Sequence, residues 1–180
     1  LTINGAGDTT LVGVLGAGSG SLTKAGAGTL SLDAANTYTG ATTISAGSVK
    51  LNINNAIGNS AVNLSVSGAN LNLNGFNDTI GSLAGVAGST VTLGTGTLTT
   101  GGNNTTTTFT GVMSGNGNLV KEGTGTMTLA GANTFLGTTT INNGTLSLSN
   151  ANGLGSGVNQ SSDITIASGA SLNFGFNATF

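Results

Sequence analysis

The sequence contains no cysteine, histidine, tryptophan, arginine or proline, and only 4% of its 180 residues are charged. Without cysteine the chain has neither disulfides nor thiolate metal ligands. Without histidine or cysteine it has no nucleophile–base pair of the Ser-His or Cys-His kind. Three lysines and a formal net charge of −2 exclude a basic nucleic-acid footprint. These absences remove several common classes of enzyme, metal site and nucleic-acid interface.

Long apolar segments are also missing. No run approaches the roughly 18 apolar residues that a membrane span requires, so no membrane-spanning segment is expected. No basic region followed by an apolar core opens the sequence, so no signal peptide is recognised. Leu1 and Phe180 both lie within the repeating pattern described below, and we therefore expect the sequence to be part of a longer chain. The lack of cysteine suits a secreted chain that must avoid cross-links before export.

The residues that are present favour a folded chain over a disordered one. Gly accounts for 33 residues, and Ser, Thr and Asn together account for 72. Disorder goes with low hydrophobicity and high net charge, whereas 37% of this chain is hydrophobic and its aliphatic residues are periodic. The sequence can therefore bury a long and narrow core.

An internal repeat dominates the sequence. Residues 117–148 align without a gap with residues 20–51, at a shift of 97 positions. The shared positions hold glycine, asparagine and alternating aliphatic residues, which is typical of conserved turns and a buried face. The best-preserved motifs lie at 20–51 and 117–148 of larger units 1–97 and 98–180, within a single segment 1–180. No linker is expected at the boundary between the units, residues 86–97, because the pattern continues through it.

Short alternations of apolar and polar residues predict the secondary structure. Leu30-Ser31-Leu32 and Met127-Thr128-Leu129 are two of many such triplets. Apolar residues at period two indicate half-buried strands, and Gly, Asn and Ser between them supply the turns. No stretch has a sustained 3.6-residue apolar period, so almost no helix is expected.

The spacing of the strands predicts the architecture. Apolar anchors recur about every 20 residues, which is the period of a β-solenoid. The anchors are Val14, Leu32, Leu51, Leu73, Leu93, Val112, Leu129, Leu148 and Leu172. We therefore predict an all-β fold, a right-handed parallel β-helix of about nine coils. A β-sandwich or an up-and-down barrel is disfavoured, because both need longer strands joined by tight hairpins.

Two pairs of repeated residues are expected at the turns. Asn36 and Asn133 occupy equivalent turns, and stacked amide side chains there could bond to neighbouring coils along the axis. Tyr38 and Phe135 follow two residues later and are expected to cover the same corner. Aliphatic residues are expected to stack in columns inside, with Thr and Ser outside.

The repeat closely resembles the autotransporter-associated β-strand repeat, also called the passenger-associated transport repeat, of Gram-negative autotransporter passenger domains. The resemblance implies a right-handed parallel β-helix that is displayed at the cell surface or released. It also implies that the motif aids export of the passenger through a C-terminal outer-membrane β-barrel of the same full-length chain. The positions taken as the structural motif are Gly26, Gly28, Leu32, Asn36, Gly40, Ile44, Gly47, Leu51, Gly123, Gly125, Leu129, Asn133, Gly137, Ile141, Gly144 and Leu148.

The charged residues do not indicate catalysis. The five acids, Asp8, Asp33, Asp78, Glu122 and Asp163, are scattered, and we expect them to be solvated turn residues. Lys24 and Lys121 are likewise expected to be solvated caps of a Gly-x-Gly turn, and no motif supports Ser-Lys catalysis with Lys24, Lys50 or Lys121. A polysaccharide-active β-helix enzyme, which needs clustered carboxylates, remains a remote alternative. The chain is predicted to be no enzyme, with no cofactor and no metal site.

Three other patterns carry little functional signal. Gly26-Ala27-Gly28 lacks the strand-to-helix context of a phosphate loop. The glycine- and aspartate-rich nonapeptide of calcium-binding solenoids is missing. Paired threonines such as Thr42-Thr43 suggest an ice-binding face, but threonine columns are not kept in every coil.

The sequence therefore predicts a structural stalk segment of an autotransporter passenger, at the surface of a Gram-negative bacterium or secreted from it. The alternative is an adhesin module that binds surface glycans or proteins. That alternative needs an exposed aromatic and amide stripe, for which Tyr38, Phe76, Phe135 and Phe176 are the aromatic candidates.

Overall fold

The computed structural model describes residues 1–155 and 164–176, and these residues form twenty short strands and no helix. Every strand pair among them is parallel, and partners lie about one turn of chain apart. The all-β parallel solenoid predicted from the spacing is confirmed. The chain coils through three sheets, which we call walls 1, 2 and 3.

Wall 1 extends along the whole described length. It contains nine strands in a simple parallel order. These strands are β1 (Thr2–Ile3), β3 (Leu22–Lys24), β5 (Thr42–Ile44), β7 (Ala61–Leu64), β10 (Ser82–Gly85), β13 (Thr107–Phe109), β16 (Thr126–Leu129), β18 (Thr145–Leu148) and β20 (Ser171–Phe174).

Walls 2 and 3 each cover part of the length. Wall 2 has six strands: β2 (Thr9–Leu11), β4 (Thr29–Leu32), β6 (Ser48–Leu51), β8 (Asn70–Asn72), β11 (Thr90–Thr92) and β14 (Val112–Ser114). Wall 3 has five: β9 (Asp78–Ile80), β12 (Thr97–Thr100), β15 (Asn118–Lys121), β17 (Thr139–Ile141) and β19 (Ile164–Ile166). In the turns that precede β9 on wall 3, and in those that follow β14 on wall 2, irregular segments occupy the place of strands.

Alternation along each strand builds the core. In β4 and β6 the burial pattern alternates between half-buried and buried residues, so every second side chain points inward. On wall 2 the register stacks inward residues into columns of apolar side chains, as expected from the sequence. On wall 2 one such column is Leu30, Val49, Leu71, Val91 and Met113, all fully buried. Each fully buried side chain of this kind stabilises the fold by about 1.5–3 kcal/mol.

The number of turns is about seven, a minor difference from the nine expected. The expectation assigned one apolar anchor to each coil. The anchors do not follow one wall, because Leu51 lies on wall 2 whereas Leu129 and Leu148 lie on wall 1. Val14 is 60% exposed and belongs to no strand. Anchors that change walls cannot count turns.

Two further expectations concern the connections between repeats. The boundary between the units, residues 86–97, carries β11 and leads into β12, so the solenoid passes through it without a linker. Residues 67–73 align with residues 168–174 at a shift of 101, four more than between the motif copies, which predicts a loop bulge between Gly155 and Asp163; that segment lies outside the described residues.

Candidate functional site: the paired repeats

The two motif copies lie on different walls. The first, residues 20–51, supplies β3 and β5 to wall 1 and β4 and β6 to wall 2. The second, residues 117–148, supplies β15 and β17 to wall 3 and β16 and β18 to wall 1. The first strand of the first copy, β3, lies on wall 1, whereas the first strand of the second copy, β15, lies on wall 3. The copies are therefore rotated by one wall relative to each other.

Within each copy the Asn-Thr-aromatic segment forms the remaining wall without regular strand structure. Its asparagine is buried and bonds to the turns on both sides. Asn36 Oδ1 accepts the Leu15 N–H at 2.7 Å, and Asn36 Nδ2 donates to the Ala56 carbonyl at 2.5 Å. Asn133 bonds in the same way to Met113 N–H at 2.7 Å and to the Gly153 carbonyl at 2.6 Å.

These asparagines bond along the axis, as expected, but to backbone groups and not to stacked amides. Each side chain satisfies one buried donor and one buried acceptor that no strand ladder reaches. A buried polar group without a partner costs about 1–3 kcal/mol, so each amide bracket maintains contact between three successive turns where the ladder is interrupted.

The aromatic residue two positions later is buried in both copies. Tyr38 is 3% exposed and Phe135 is fully buried. The Tyr38 hydroxyl shares a 2.7 Å hydrogen bond with Thr42 Oγ1, which in turn lies 2.8 Å from Ser60 Oγ. Burial raises the pKa of the Tyr38 phenol, although these hydroxyl contacts oppose the shift. The pair packs inside the solenoid and is not available as an exposed stripe.

The lysines of the motif are buried, and the expectation of solvated caps is wrong. Lys24 is fully buried and Lys121 is 1% exposed. The Lys24 ammonium donates to the Gly26 carbonyl. The Lys121 ammonium donates to the carbonyls of Glu122 at 2.6 Å and Gly123 at 2.9 Å. A third bond, at 3.3 Å, reaches the Asn143 carbonyl of the next turn.

Each lysine therefore caps a glycine turn from inside the solenoid. Desolvation lowers the pKa of both ammonium groups, and the nearby carboxylates of Asp8 and Glu122 partly oppose the shift for Lys24 and Lys121 respectively. The signal for this position was present in the sequence. Lys24 follows Leu22 at period two, which places both side chains on the inward face of β3.

Glycine is needed in the motif because successive turns approach closely. Gly47 and Gly144 both have φ of 64°, in the left-handed region that L side chains rarely adopt. A Cβ at Gly47 would also collide with the carbonyl of Gly28 in the preceding turn, and one at Gly144 with the carbonyl of Gly123. Both copies therefore require glycine for conformation and for stacking.

The residues shared by the copies are mainly those that point inward. Seven buried pairs are identical: Leu22/Leu119, Lys24/Lys121, Leu32/Leu129, Asn36/Asn133, Thr42/Thr139, Ile44/Ile141 and Leu51/Leu148. Three buried pairs are conservative replacements: Leu30/Met127, Tyr38/Phe135 and Val49/Leu146. Outward positions differ more, as at Lys50/Ser147 and Ala25/Glu122. The repeat preserves an interior.

Outward asparagines connect turns at the corners. Asn77 Oδ1 accepts the Thr97 N–H, and Asn118 Oδ1 accepts the Thr138 N–H, both at 2.8 Å. Asn104 Oδ1 accepts the Thr124 N–H at the same distance. The residues joined lie 20 positions apart, so each bond links one turn to the next. The high asparagine content is thus used to bond exposed backbone groups where strands begin.

The acids among the described residues bond to separate neighbours. Asp8 Oδ1 accepts the Thr29 N–H at 2.7 Å, and Asp33 Oδ1 accepts from Asn52 Nδ2 at 2.7 Å. Glu122 Oε1 accepts from Asn142 Nδ2 at 2.6 Å. No group of three or more potential metal-ligating side chains occurs within residues 1–155 and 164–176.

Asp78 is the exception to the expected solvated acids, and that expectation is wrong for it. It is 1% exposed, and its Oδ2 accepts the Ile57 N–H at 3.0 Å. Desolvation raises its pKa to about 7, against the opposing effect of backbone N–H groups. Asp163 lies outside the described residues.

Comparison with known families supports the reading of the motif. The family model of the passenger-associated transport repeat matches residues 22–51 and 119–148, inside the two motif copies and together a third of the chain. Two segments of the chain thus match the passenger-associated transport repeat, and both lie within the parallel β-solenoid. No curated protein matches the chain significantly. The same is true of solved structures. Among the described residues, no helix is long and apolar enough to span a bilayer.

Proposed function

We propose that the chain is a stalk segment of an autotransporter passenger, displayed on or secreted from a Gram-negative bacterium, and that its repeats aid export and folding. The partner is the outer-membrane β-barrel at the C-terminal end of the full-length chain. The two matches to the passenger-associated transport repeat support this proposal, as does the parallel solenoid that contains them.

The observation that carries the proposal is the placement of the repeats. Most of their shared side chains face the interior, and the two copies are rotated by one wall, so their outer surfaces point in different directions. A binding motif would repeat an outer surface, whereas these copies repeat a core. The motif therefore acts through folding of the solenoid.

A folding role suits export through a narrow pore. A solenoid turn contacts only its neighbours, so folding outside the cell propagates one turn at a time. Burial contributes about 1.5–3 kcal/mol per aliphatic side chain. Ordering of the backbone costs about 1–2 kcal/mol per residue, which offsets most of that gain. A motif with its own lysine cap and asparagine bracket supplies a local nucleus that prevents backsliding.

The test uses the full-length passenger with its barrel. Ile141 is fully buried between Lys121 and Ile166 on wall 3, so Ile141→Asp replaces an apolar core side chain with a carboxylate, beside a lysine whose ammonium already bonds to turn carbonyls. Surface display of this variant should fall severalfold, with passenger retained in the periplasm or at the pore. Thr140→Asp, on the outer face of the same strand, is the matched control and should be displayed almost normally. Equal display of wild type and Ile141→Asp would refute an export role for the motif.

Adhesion is the second candidate, and one surface feature favours it. A shallow groove of about 520 Å³ follows the corner between walls 2 and 3. Uncharged groups line it, including Asn72, Asn74, Thr95 and Asn116. Such a groove offers hydrogen bonds to a neutral glycan. The aromatic candidates fit less well, because Tyr38 and Phe135 are buried and Phe76 and Phe176 are half-buried.

A glycan array with the purified chain separates the two candidates. The stalk proposal predicts no reproducible micromolar binding. Binding that is abolished by Thr95→Trp, which fills the groove, would favour the adhesin instead.

We also propose that the chain is not an enzyme, because its described acids bond to separate neighbours. Turnover of a polysaccharide that depends on Asp33 or Asp78 would contradict this.

A further inference from the structure

A short irregular segment lies next to β9, where wall 3 would continue towards the N-terminal turns. We call residues 54–58 the joint segment. β9, the first strand of wall 3, pairs with β12 above it, and the joint segment lies on its other side. Two bonds at the rim connect them: Asn55 N–H donates to the Asn77 carbonyl at 2.9 Å, and Asn77 N–H donates to Asn54 Oδ1 at 2.8 Å. Inside the rim, side chains replace the ladder.

Two buried side chains hold the joint segment from opposite sides. From below, Asn36 Nδ2 donates to the Ala56 carbonyl at 2.5 Å. From above, Asp78 Oδ2 accepts the Ile57 N–H at 3.0 Å. The other carboxyl oxygen, Asp78 Oδ1, is buried and has no hydrogen-bond partner. Asp78 therefore accepts, through one carboxyl oxygen, a backbone N–H bond of the kind that a neighbouring strand would accept. Its other carboxyl oxygen accepts none.

The surroundings of Asp78 are apolar. It begins an inward column whose next members are Leu98 and Leu119. The titratable group that faces it from the turns below is Tyr38, which is neutral and bonded to Thr42. The buried ammonium groups of Lys24 and Lys121 bond to carbonyls of their own repeats. Desolvation outweighs the Ile57 hydrogen bond and the nearby N–H groups of Thr79 and Ala56, so the pKa of Asp78 is raised to about 7.

We propose that Asp78 is a pH-sensitive clasp whose neutral carboxyl holds the joint segment against wall 3 and whose ionisation loosens that segment. A half-satisfied carboxyl is tolerated in this site while it is neutral, and a buried charge without a cation is costly. The role is independent of the proposed export function.

The direction with pH follows from the raised pKa. The closed state holds its proton up to about pH 7, whereas an exposed aspartic acid loses it near 3.8. The stabilisation is therefore complete below the ordinary pKa, declines as pH rises through that window, and is lost above about pH 7. One proton is released on opening, so the opening constant rises about tenfold per pH unit within the window.

Amide hydrogen exchange of Ile57 in the 180-residue chain tests the clasp. Hydroxide catalysis raises the exchange rate about tenfold per pH unit, and opening linked to Asp78 raises it by about another tenfold. From pH 5 to pH 7 the protection of Ile57 should therefore fall about 50-fold, because the linkage levels off as pH approaches the closed-state pKa. Asp78→Asn, which keeps an acceptor for the Ile57 N–H, should abolish that loss. Asp33→Asn, at an exposed aspartate bonded to Asn52, is the matched control and should retain it.

A direct titration guards against a variant that fails to fold. The Asp78 carboxyl carbon signal of the wild-type chain, followed by NMR, should titrate near pH 7. A midpoint near 4 would overturn the proposal. Protection of Ile57 that is independent of pH in the wild type, or equally pH-dependent in Asp78→Asn, would also overturn it.

Discussion

Asn36 and Asn133, 97 positions apart in sequence, make the same pair of hydrogen bonds on different walls of the solenoid. Each accepts an N–H from the turn before it and donates to a carbonyl of the turn after it. The partners lie 20 or 21 residues away, one turn in either direction. The motif thus carries its own connection between three turns, and this connection does not depend on the wall in which it is placed.

Removal of this bracket should be costly. Asn133→Ala leaves the Met113 N–H and the Gly153 carbonyl without partners in a buried site. We expect the free energy of unfolding to fall by about 2–4 kcal/mol, since each buried unsatisfied group costs about 1–3 kcal/mol. Asn143→Ala, at an exposed position of the same copy, should change it by less than about 0.5 kcal/mol. Urea denaturation measures both, and equal stability of the two variants would contradict the role of the bracket.

The strands, their parallel stacking and the inward columns could be predicted from the sequence because alternation at period two and a 20-residue spacing leave few alternatives. The buried charges could also have been found. Asp78 is in phase with Ile80, as Lys24 is with Leu22, so alternation places each on the inward face. The prediction failed there because it assumed that charge implies solvent.

The wall occupied by each repeat could not be predicted. It depends on the summed length of all the corners between the copies, and corners vary independently of the strands. The Ile57 bond to Asp78 could not be predicted for the same reason. It joins two segments 21 residues apart at a place where no strands pair.

Lys121 should stabilise the fold through its ammonium group. Lys121→Met keeps most of the buried stem but leaves the carbonyls of Glu122, Gly123 and Asn143 without this donor. We expect a loss of about 1–3 kcal/mol in the free energy of unfolding, because bonds to charged groups contribute about 1.5–3 kcal/mol each and desolvation of the ammonium offsets part of that. Lys50→Met, on the outer face of β6, is the control. A Lys121→Met variant as stable as wild type would show that desolvation cancels the bonds.

The left-handed turn glycines should resist substitution. Gly144→Ala places a Cβ at φ of 64° and against the carbonyl of Gly123. The conformation alone costs about 1–2 kcal/mol, and the collision adds to it. Gly102→Ala is the matched control, since nothing lies within 4 Å of its Cβ position. Thermal melts should show a clear fall for Gly144→Ala and almost none for Gly102→Ala; similar melts would mean that the turn relaxes without cost.

The repeat should fold on either pair of walls. In a chain whose residues 20–51 are replaced by a copy of residues 117–148, the buried positions remain identical or conservatively replaced. The replacement loses four side-chain bonds: Tyr38 to Thr42, Asp33 to Asn52, Thr39 to the Gly18 carbonyl and Ser45 to the Lys24 carbonyl. Each such bond contributes about 0.5–1.5 kcal/mol, with the exposed ones at the low end, so we expect a cooperative β-rich fold about 2–4 kcal/mol less stable than wild type. The same chimera with aspartate at the position copied from Ile141 is the control, and it should be far less stable. Circular dichroism and urea denaturation of the two chimeras decide the matter. If the first chimera failed to fold, the motif would be specific to its wall, and the argument that it acts as a transferable folding unit would be wrong.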